Sequence, residues 1–128
     1  MFTRTLKETE KAGLCIEWGS GTSHRLLTTR DDVGFGMCHT VVRAGTSSKL
    51  QYRNHVEACY CISGRGLVSA ENVASDENKA DLVNHRIEAG TVYVLDNHEA
   101  HTLIADPDSD LILISIFSPA LEGTERHQ

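Results

Sequence analysis

Glycines divide the chain into short runs in which β-branched and apolar residues alternate with polar ones. Thr40-Val41-Val42-Arg43 stops at Ala44-Gly45. Ala58-Cys59-Tyr60-Cys61-Ile62 stops at Ser63-Gly64-Arg65-Gly66, and Leu67-Val68-Ser69-Ala70 follows at once. Leu82 to Ile87 leads into Glu88-Ala89-Gly90, and then come Thr91 to Leu95, His101 to Ile104 and Leu111 to Phe117. Short strands at close spacing with turn residues between them predict an all-β antiparallel sandwich or barrel. The glycine-bearing Ser63–Gly66 reads as a hairpin turn. A parallel α/β sheet would need helices of roughly 10–15 residues between strands, and the pattern holds none. One short polar helix fits near the start, over Thr5 to Ala12, stopped at Gly13. The most polar stretch, Glu71 to Ala80, reads as a solvated loop at a hairpin tip.

Composition narrows the class. The 128 residues suit a single domain, 1–128, with one core. With 40% hydrophobic and 23% charged residues the chain is globular rather than disordered. A net charge of -6 argues against nucleic acid and against an anionic membrane surface. No apolar run approaches the ~18 residues of a membrane span. The first ten residues lack the apolar stretch of a signal peptide, so a cytoplasmic location is expected. In that compartment Cys15, Cys38, Cys59 and Cys61 are expected to be reduced. Cys59 and Cys61 share a strand face. CxC without a second pair is a weak metal signal, so both read as small apolar core residues.

Seven histidines make a shared pocket with a carboxylate the main candidate for chemistry. Two windows stand out. One runs Gly45, Gln51, Tyr52, Arg53, Glu57, Gly64; the other runs Gly90, Asp96, Asn97, His98, His101. Their spacing resembles the two motifs of the cupin superfamily, small barrels of the double-stranded β-helix or jelly-roll type. Cupins usually bind a divalent metal with two histidines and a glutamate from the first motif and a histidine from the second. Here the glutamate is Glu57 and the second-motif histidine is His101, but the first-motif histidines are Gln51 and Arg53. A standard cupin site is therefore excluded by ligand count, and a metal would need a third ligand from another strand. Tyr93 precedes the Leu95–His101 turn. The residue pattern alone leaves it either as barrel-wall packing or, facing His101 across a hairpin, as a phenolate ligand to a Lewis-acidic ion such as iron.

At higher resolution the chain resembles the ectoine synthase family over nearly its whole length. The resemblance rests on Arg25-Leu26-Leu27 with Asp32-Val33-Gly34, on Thr40 with Ala44-Gly45-Thr46, and on Phe117-Ser118-Pro119 with Gly123, Glu125 and His127. Its most specific parts are the blocks Tyr52 to Gly64 and Gly90 to His101. It implies a cupin-type barrel and an Fe2+ cofactor held by Glu57, Tyr93 and His101. It implies Tyr52, His55, Glu125 and His127 as the candidate acid–base groups. Arg25, Thr40, Ser115 and Phe117 would line the substrate pocket, with Arg25 pairing with a carboxylate. The implied reaction is a hydro-lyase cyclisation in osmoprotectant synthesis, a stress response. The α-amine of N-γ-acetyl-L-2,4-diaminobutyrate attacks its own acetamide carbonyl, and water leaves to give ectoine. A homodimer is implied as well, with the N-terminal segment a natural partner strand.

Several positions depart from the family pattern, and they cluster at the pocket rather than at the metal ligands. The usual Trp-x-Ser-x-Arg reads Gly21-Thr22-Ser23-His24-Arg25, with the only tryptophan at Trp18. Cys38 replaces a histidine, and Ser115 replaces a cysteine. These changes keep a second reading open, a metal-binding cupin paralogue that binds or acts on another small molecule; a third is a ligand-free structural dimer. Without the resemblance, Arg25 would read as a surface cation, Tyr52 as wall packing, and Glu125 and His127 as a frayed end.

Overall fold

A computed structural model describes residues 1–73 and 80–125, with the backbone alone at 71–73, 80 and 81. The short helix α1, Leu6–Lys11, forms where the polar pattern placed it. Thr5 and Glu8 close a capping box at its start, Oγ1 of Thr5 accepting from the Glu8 N–H at 3.1 Å, and Gly13 leaves it at φ +77°. Ten strands follow: β1 (Cys15–Glu17), β2 (Gly21–Leu27), β3 (Gly36–Val42), β4 (Ser47–Leu50), β5 (Val56–Ser63), β6 (Arg65–Val73), β7 (Ala80–Glu88), β8 (Val92–Leu95), β9 (His101–Ala105) and β10 (Leu111–Ser118). They build a six-stranded sheet, β1-β2-β3-β10-β5-β8, and a four-stranded sheet, β4-β9-β6-β7, with every pairing antiparallel. This is the expected all-β cupin-type barrel.

The alternation along each strand sorts its side chains. On β10, Leu111, Leu113, Ser115 and Phe117 are buried, and the isoleucines between them are half-buried on the outer face. On β5, Glu57, Cys59 and Cys61 point in while Tyr60 and Ile62 point out. Two apolar clusters fill the interior. The larger gathers Trp18, Val42, Cys61, Ile87, Leu103 and Leu111 among others; the smaller is Cys38, Tyr52, Phe117 and Leu121.

Three expectations need correction. Ser63–Gly66 is not a hairpin turn: β5 pairs with β10 and β8, whereas β6 pairs with β7 and β9, so this segment carries the chain from one sheet to the other. Gly64 makes the corner at φ +85°, against the Asp110 backbone, where a Cβ would collide with the carbonyl. The Leu95–His101 segment changes sheets in the same way, so Tyr93 and His101 do not face each other across a hairpin. The polar stretch is also shorter than read, because β6 runs through Val73 and β7 starts at Ala80, paired with each other. The exposure expected for Glu71 to Ala80 lies outside the described residues.

Candidate functional site

Between the two apolar clusters the barrel interior turns polar around a cavity of about 30 Å3. Ser23 and Arg25 reach it from β2 and Thr40 from β3. Glu57 and Cys59 reach it from β5, Tyr93 from β8, and Ser115 and Phe117 from β10. Tyr52 and Leu121 cover it, the Tyr52 ring packed edge-on against Phe117 with centroids 4.9 Å apart.

Arg25 is 2% exposed, which overturns its reading as a surface cation. Nε donates to Ser23 Oγ at 2.9 Å, and Nη2 donates to the backbone carbonyl of Glu125. Nη1 stands 3.8 Å from the Glu125 carboxylate and has no hydrogen-bond acceptor among the described residues. The tail is not frayed as far as Glu125. Both carboxylate oxygens of Glu125 accept backbone N–H groups, of Glu122 and Gly123, at 2.8 Å. Burial pushes the Glu125 carboxyl up, but these backbone donors and Arg25 outweigh it and hold the group below the usual carboxylate range. His127 lies outside the described residues.

Glu57 is buried on β5 of the same sheet as Arg25, and burial pushes its carboxyl up to about 7, with a hydrogen bond from the Cys59 thiol opposing. Tyr93 stands on the neighbouring strand, with Cys59 its register partner and Leu95 that of Glu57. The phenol of Tyr93 is raised well above its ordinary value, first by burial and then by Cys59 and Glu57. Tyr52 is raised as well, mainly by burial and next by Glu57, which keeps its hydroxyl neutral. His101 is buried on β9 of the facing sheet, outside the lining of this cavity. Its Nδ1–H donates to the Glu99 carbonyl at 3.2 Å, which in the neutral ring leaves the lone pair on buried Nε2, the arrangement of a ligating imidazole. His55 packs behind the mouth, Nδ1 donating to the Pro119 carbonyl at 2.8 Å and its ring 6.1 Å from that of Phe117. Of the expected site residues, Arg25, Thr40, Tyr52, Glu57, Tyr93, Ser115 and Phe117 thus share one cavity, while His55 and His101 flank it.

The donors suit a divalent transition metal: a carboxylate and a phenol on adjacent strands, and an imidazole whose Nδ1–H is held by the Glu99 carbonyl. Among the described residues no three His, Cys, Asp and Glu side chains are gathered to hold an ion by themselves. A metal here therefore depends on Tyr93.

Two departures in the pocket are made good from adjacent positions. Trp18, in the turn after β1, lines the cavity, its backbone N–H donating to the Gly21 carbonyl at 3.0 Å. A Cβ at Gly21 would strike the Val41 carbonyl, so a side chain has no room at that position. Ser115 pairs in register with Cys59, so this ladder keeps one thiol, on β5 instead of β10. Cys59, read from the sequence as core, does belong to the larger apolar cluster, and it lines the cavity as well, which that reading did not anticipate. The period-two rule was its signal, because Cys59 must share the face of Glu57.

Comparison with known proteins gives a consistent result. The family model described as "Ectoine synthase" matches residues 1–128. An L-ectoine synthase of Marinomonas sp. (strain MWYL1) is 38% identical over 99% of this chain and 92% of its own length. The crystal structure of ectoine synthase from P. lautus superposes with a TM-score of 0.81 at 35% identity, covering 98% of this chain and 83% of that one. Hazelnut vicilin, at 13% identity and a TM-score of 0.71 over 80% of this chain and 30% of its own, shares the fold alone.

Proposed function

The chain belongs to the ectoine synthase family, and from that premise we propose that its cavity closes N-γ-acetyl-L-2,4-diaminobutyrate to ectoine with the help of an Fe2+ ion held by Glu57, Tyr93 and His101. The enzyme is an ectoine-forming, cyclising hydro-lyase; the observation that carries this is the family match over the full chain. The geometry adds a buried cation, Arg25, and a buried acid, Glu57, in one small enclosed space.

Ring closure forms a bond from the α-amine nitrogen to the amide carbon and breaks the bond from that carbon to its oxygen, which leaves as water. A Lewis-acidic ion, when bound, polarises the amide carbonyl, which is otherwise a poor electrophile. Arg25 holds the substrate carboxylate with its guanidinium fork. Thr40, Ser115 and Phe117 line the space in which the flexible substrate is folded toward a near-attack geometry. The amine must lose its protons and the departing oxygen must gain them, and Tyr52, His55, Glu125 and His127 are the groups proposed for this. Tyr52, neutral because buried, suits donation to the departing oxygen. Leu121 and the tail exclude the water that would reverse the reaction. Ser115 in the cavity lining, and Cys38 packed with Tyr52, Phe117 and Leu121 beside it, support the second reading, a metal-binding paralogue with another small ligand. Incubating the purified protein with acetylated diaminobutyrate, with and without added Fe2+, separates the two. A product lighter by one water, formed faster with iron, is expected; iron binding without turnover sinks the first reading.

Cytoplasmic action fits this chemistry, and among the described residues no helix is long and apolar enough to cross a membrane. The homodimer is proposed on an outer surface where Tyr60, Ile62, Val92 and Val94, each at least 45% exposed, form an apolar face on β5 and the edge strand β8. Such a face and an open edge invite a partner. Light scattering at micromolar concentration should give twice the 14.1 kDa chain mass, and Val94→Lys should halve it. A monomeric mass for the unaltered protein counts against the dimer.

A further inference from the structure

His98 stands in the corner between β8 and β9 with a left-handed backbone, φ +54°, which a residue other than glycine seldom adopts unless its surroundings hold it there. Its ring lies against segment 51–55, which joins β4 to β5. Nδ1 is 3.1 Å from the Tyr52 carbonyl and 3.0 Å from the His55 carbonyl. Both partners only accept, so Nδ1 carries the proton and donates to the pair. The segment bonds back to the corner. Gln51 Nε2 donates to the His98 carbonyl at 3.0 Å, and Arg53 Nη2 donates to Gln51 Oε1 at 3.3 Å. Gln51 and Arg53 hold the places where cupins usually carry metal-binding histidines, and here they brace a clasp between the two motif windows. The corner is tied on either side of His98 as well: the Asn97 N–H donates to Glu99 Oε1 at 3.1 Å, and the Glu99 carbonyl accepts from His101.

Building on the cyclisation proposed above, we infer that His98 is a positioning residue for it: its Nδ1–H fixes segment 51–55 and so sets where Tyr52 and His55, two of the groups proposed for the proton transfers, stand at the cavity. One N–H reaches carbonyls three residues apart only if the chain between them curls around it, so the shared bond sets the curvature of the segment as well as its place. The segment passes from one sheet to the other and is fastened on two sides. On the β10 side the Tyr52 ring packs on Phe117 and His55 donates to the Pro119 carbonyl. On the side of β8 and β9 the fastening is His98. It does not line the cavity, so it acts on the substrate space through Tyr52 and His55. A proton carrier works only within hydrogen-bond reach of its target, and a misplacement of about 1 Å can cost on the order of 100-fold in rate.

The test compares His98→Asn with His98→Asp in the full-length protein. The two side chains have one shape and both tolerate a left-handed backbone. Asn presents an N–H near the place of Nδ1, whereas Asp presents oxygens to two carbonyls. With acetylated diaminobutyrate and Fe2+, kcat is expected to fall at least ~10-fold in His98→Asp and to stay close to the unaltered rate in His98→Asn, with KM and bound iron little changed in both. Should His98→Asp fail to fold, His98→Gly, which keeps the backbone and removes the donor, takes its place with the same expectation. The clasp has a readout of its own. Nitrogen NMR of protein labelled at histidine, above the pH range in which imidazole titrates, should show His98 as the Nδ1–H tautomer, its signals identified by their loss in His98→Asn. Equal rates in His98→Asn and the donor-free variant, or a loss of rate matched by a loss of iron, overturn the positioning role and leave the cyclisation standing. The Nε2–H tautomer overturns the clasp itself. A clasped protein without turnover overturns the cyclisation, and this role with it.

Discussion

Replacing Glu57 by glutamine is expected to abolish cyclisation and to stabilise the metal-free protein at about pH 8. Both effects follow from a carboxyl enclosed in the barrel and pushed by burial from an ordinary 4.5 to about 7. A raised carboxyl favours the folded state in its protonated form. Its contribution is fully present below about pH 4.5 and is lost as pH rises through about 7. The whole shift corresponds to on the order of 3 kcal/mol. Above pH 7 the metal-free protein must hold a buried negative charge, and glutamine removes it at nearly constant shape while still accepting from the Cys59 thiol. The melting temperature at about pH 8 in chelator should rise by about 5 °C or more, with little change at about pH 4. Turnover should fall at least ~100-fold, together with iron content. A Glu57→Gln protein that melts below the unaltered one at pH 8 would remove buried-charge strain as the cause.

Deleting residues 124–128 is expected to lower turnover by at least ~100-fold, the low end for losing an acid–base group, with iron content unchanged. The deletion takes away both Glu125 contacts of Arg25, a cation 2% exposed. It also frees the N–H groups that Glu125 caps beneath Leu121, so the mouth loosens. Glu125→Ala separates the roles of latch and proton carrier. It keeps the backbone carbonyl on Arg25 and removes only the carboxylate, so a loss as large as that of the deletion assigns the chemistry to the side chain. If the shortened protein cyclises at the full rate, the proton transfers pass to Tyr52 or His55.

Strands whose inward face is mostly apolar were legible from alternation, even where they carry site residues; β2, whose inward face is polar, was not. β10 and β9 show their burial plainly in Leu111, Leu113 and Phe117 and in Leu103 and Ala105. β2 went unread because the side chains it sends into the cavity are Ser23 and Arg25, which break the apolar period. β1 and β4 are short, and β4 carries Ser47, Ser48 and Lys49. Turn residues reported where the chain bends but not which sheet it enters next. That is why Ser63–Gly66 looked like a hairpin. Of the proposed ligands, Glu57 and His101 emerged from motif spacing. Tyr93 required the family resemblance, because alternation places a side chain on a face without saying what shares that face. Cys59 and Cys61 make the same point: one residue type, one face, one strand, and surroundings that differ because only Cys59 stands between Tyr93 and Ser115.

The central position of β10 bears on how the chain is made. It lies between β3 and β5 and is hydrogen-bonded to both, yet among the described residues it is the last of the ten strands in chain order. A ribosome that has delivered everything up to Ala105 has produced β1-β2-β3 and β5-β8 as separate pieces, each with an unpaired inner edge awaiting Leu111–Ser118. At about 5–20 residues per second, those edges stay open for roughly a second or more after their own synthesis. For that interval the nascent chain presents two templates for the wrong partner, and folding is completed by the last strand to emerge.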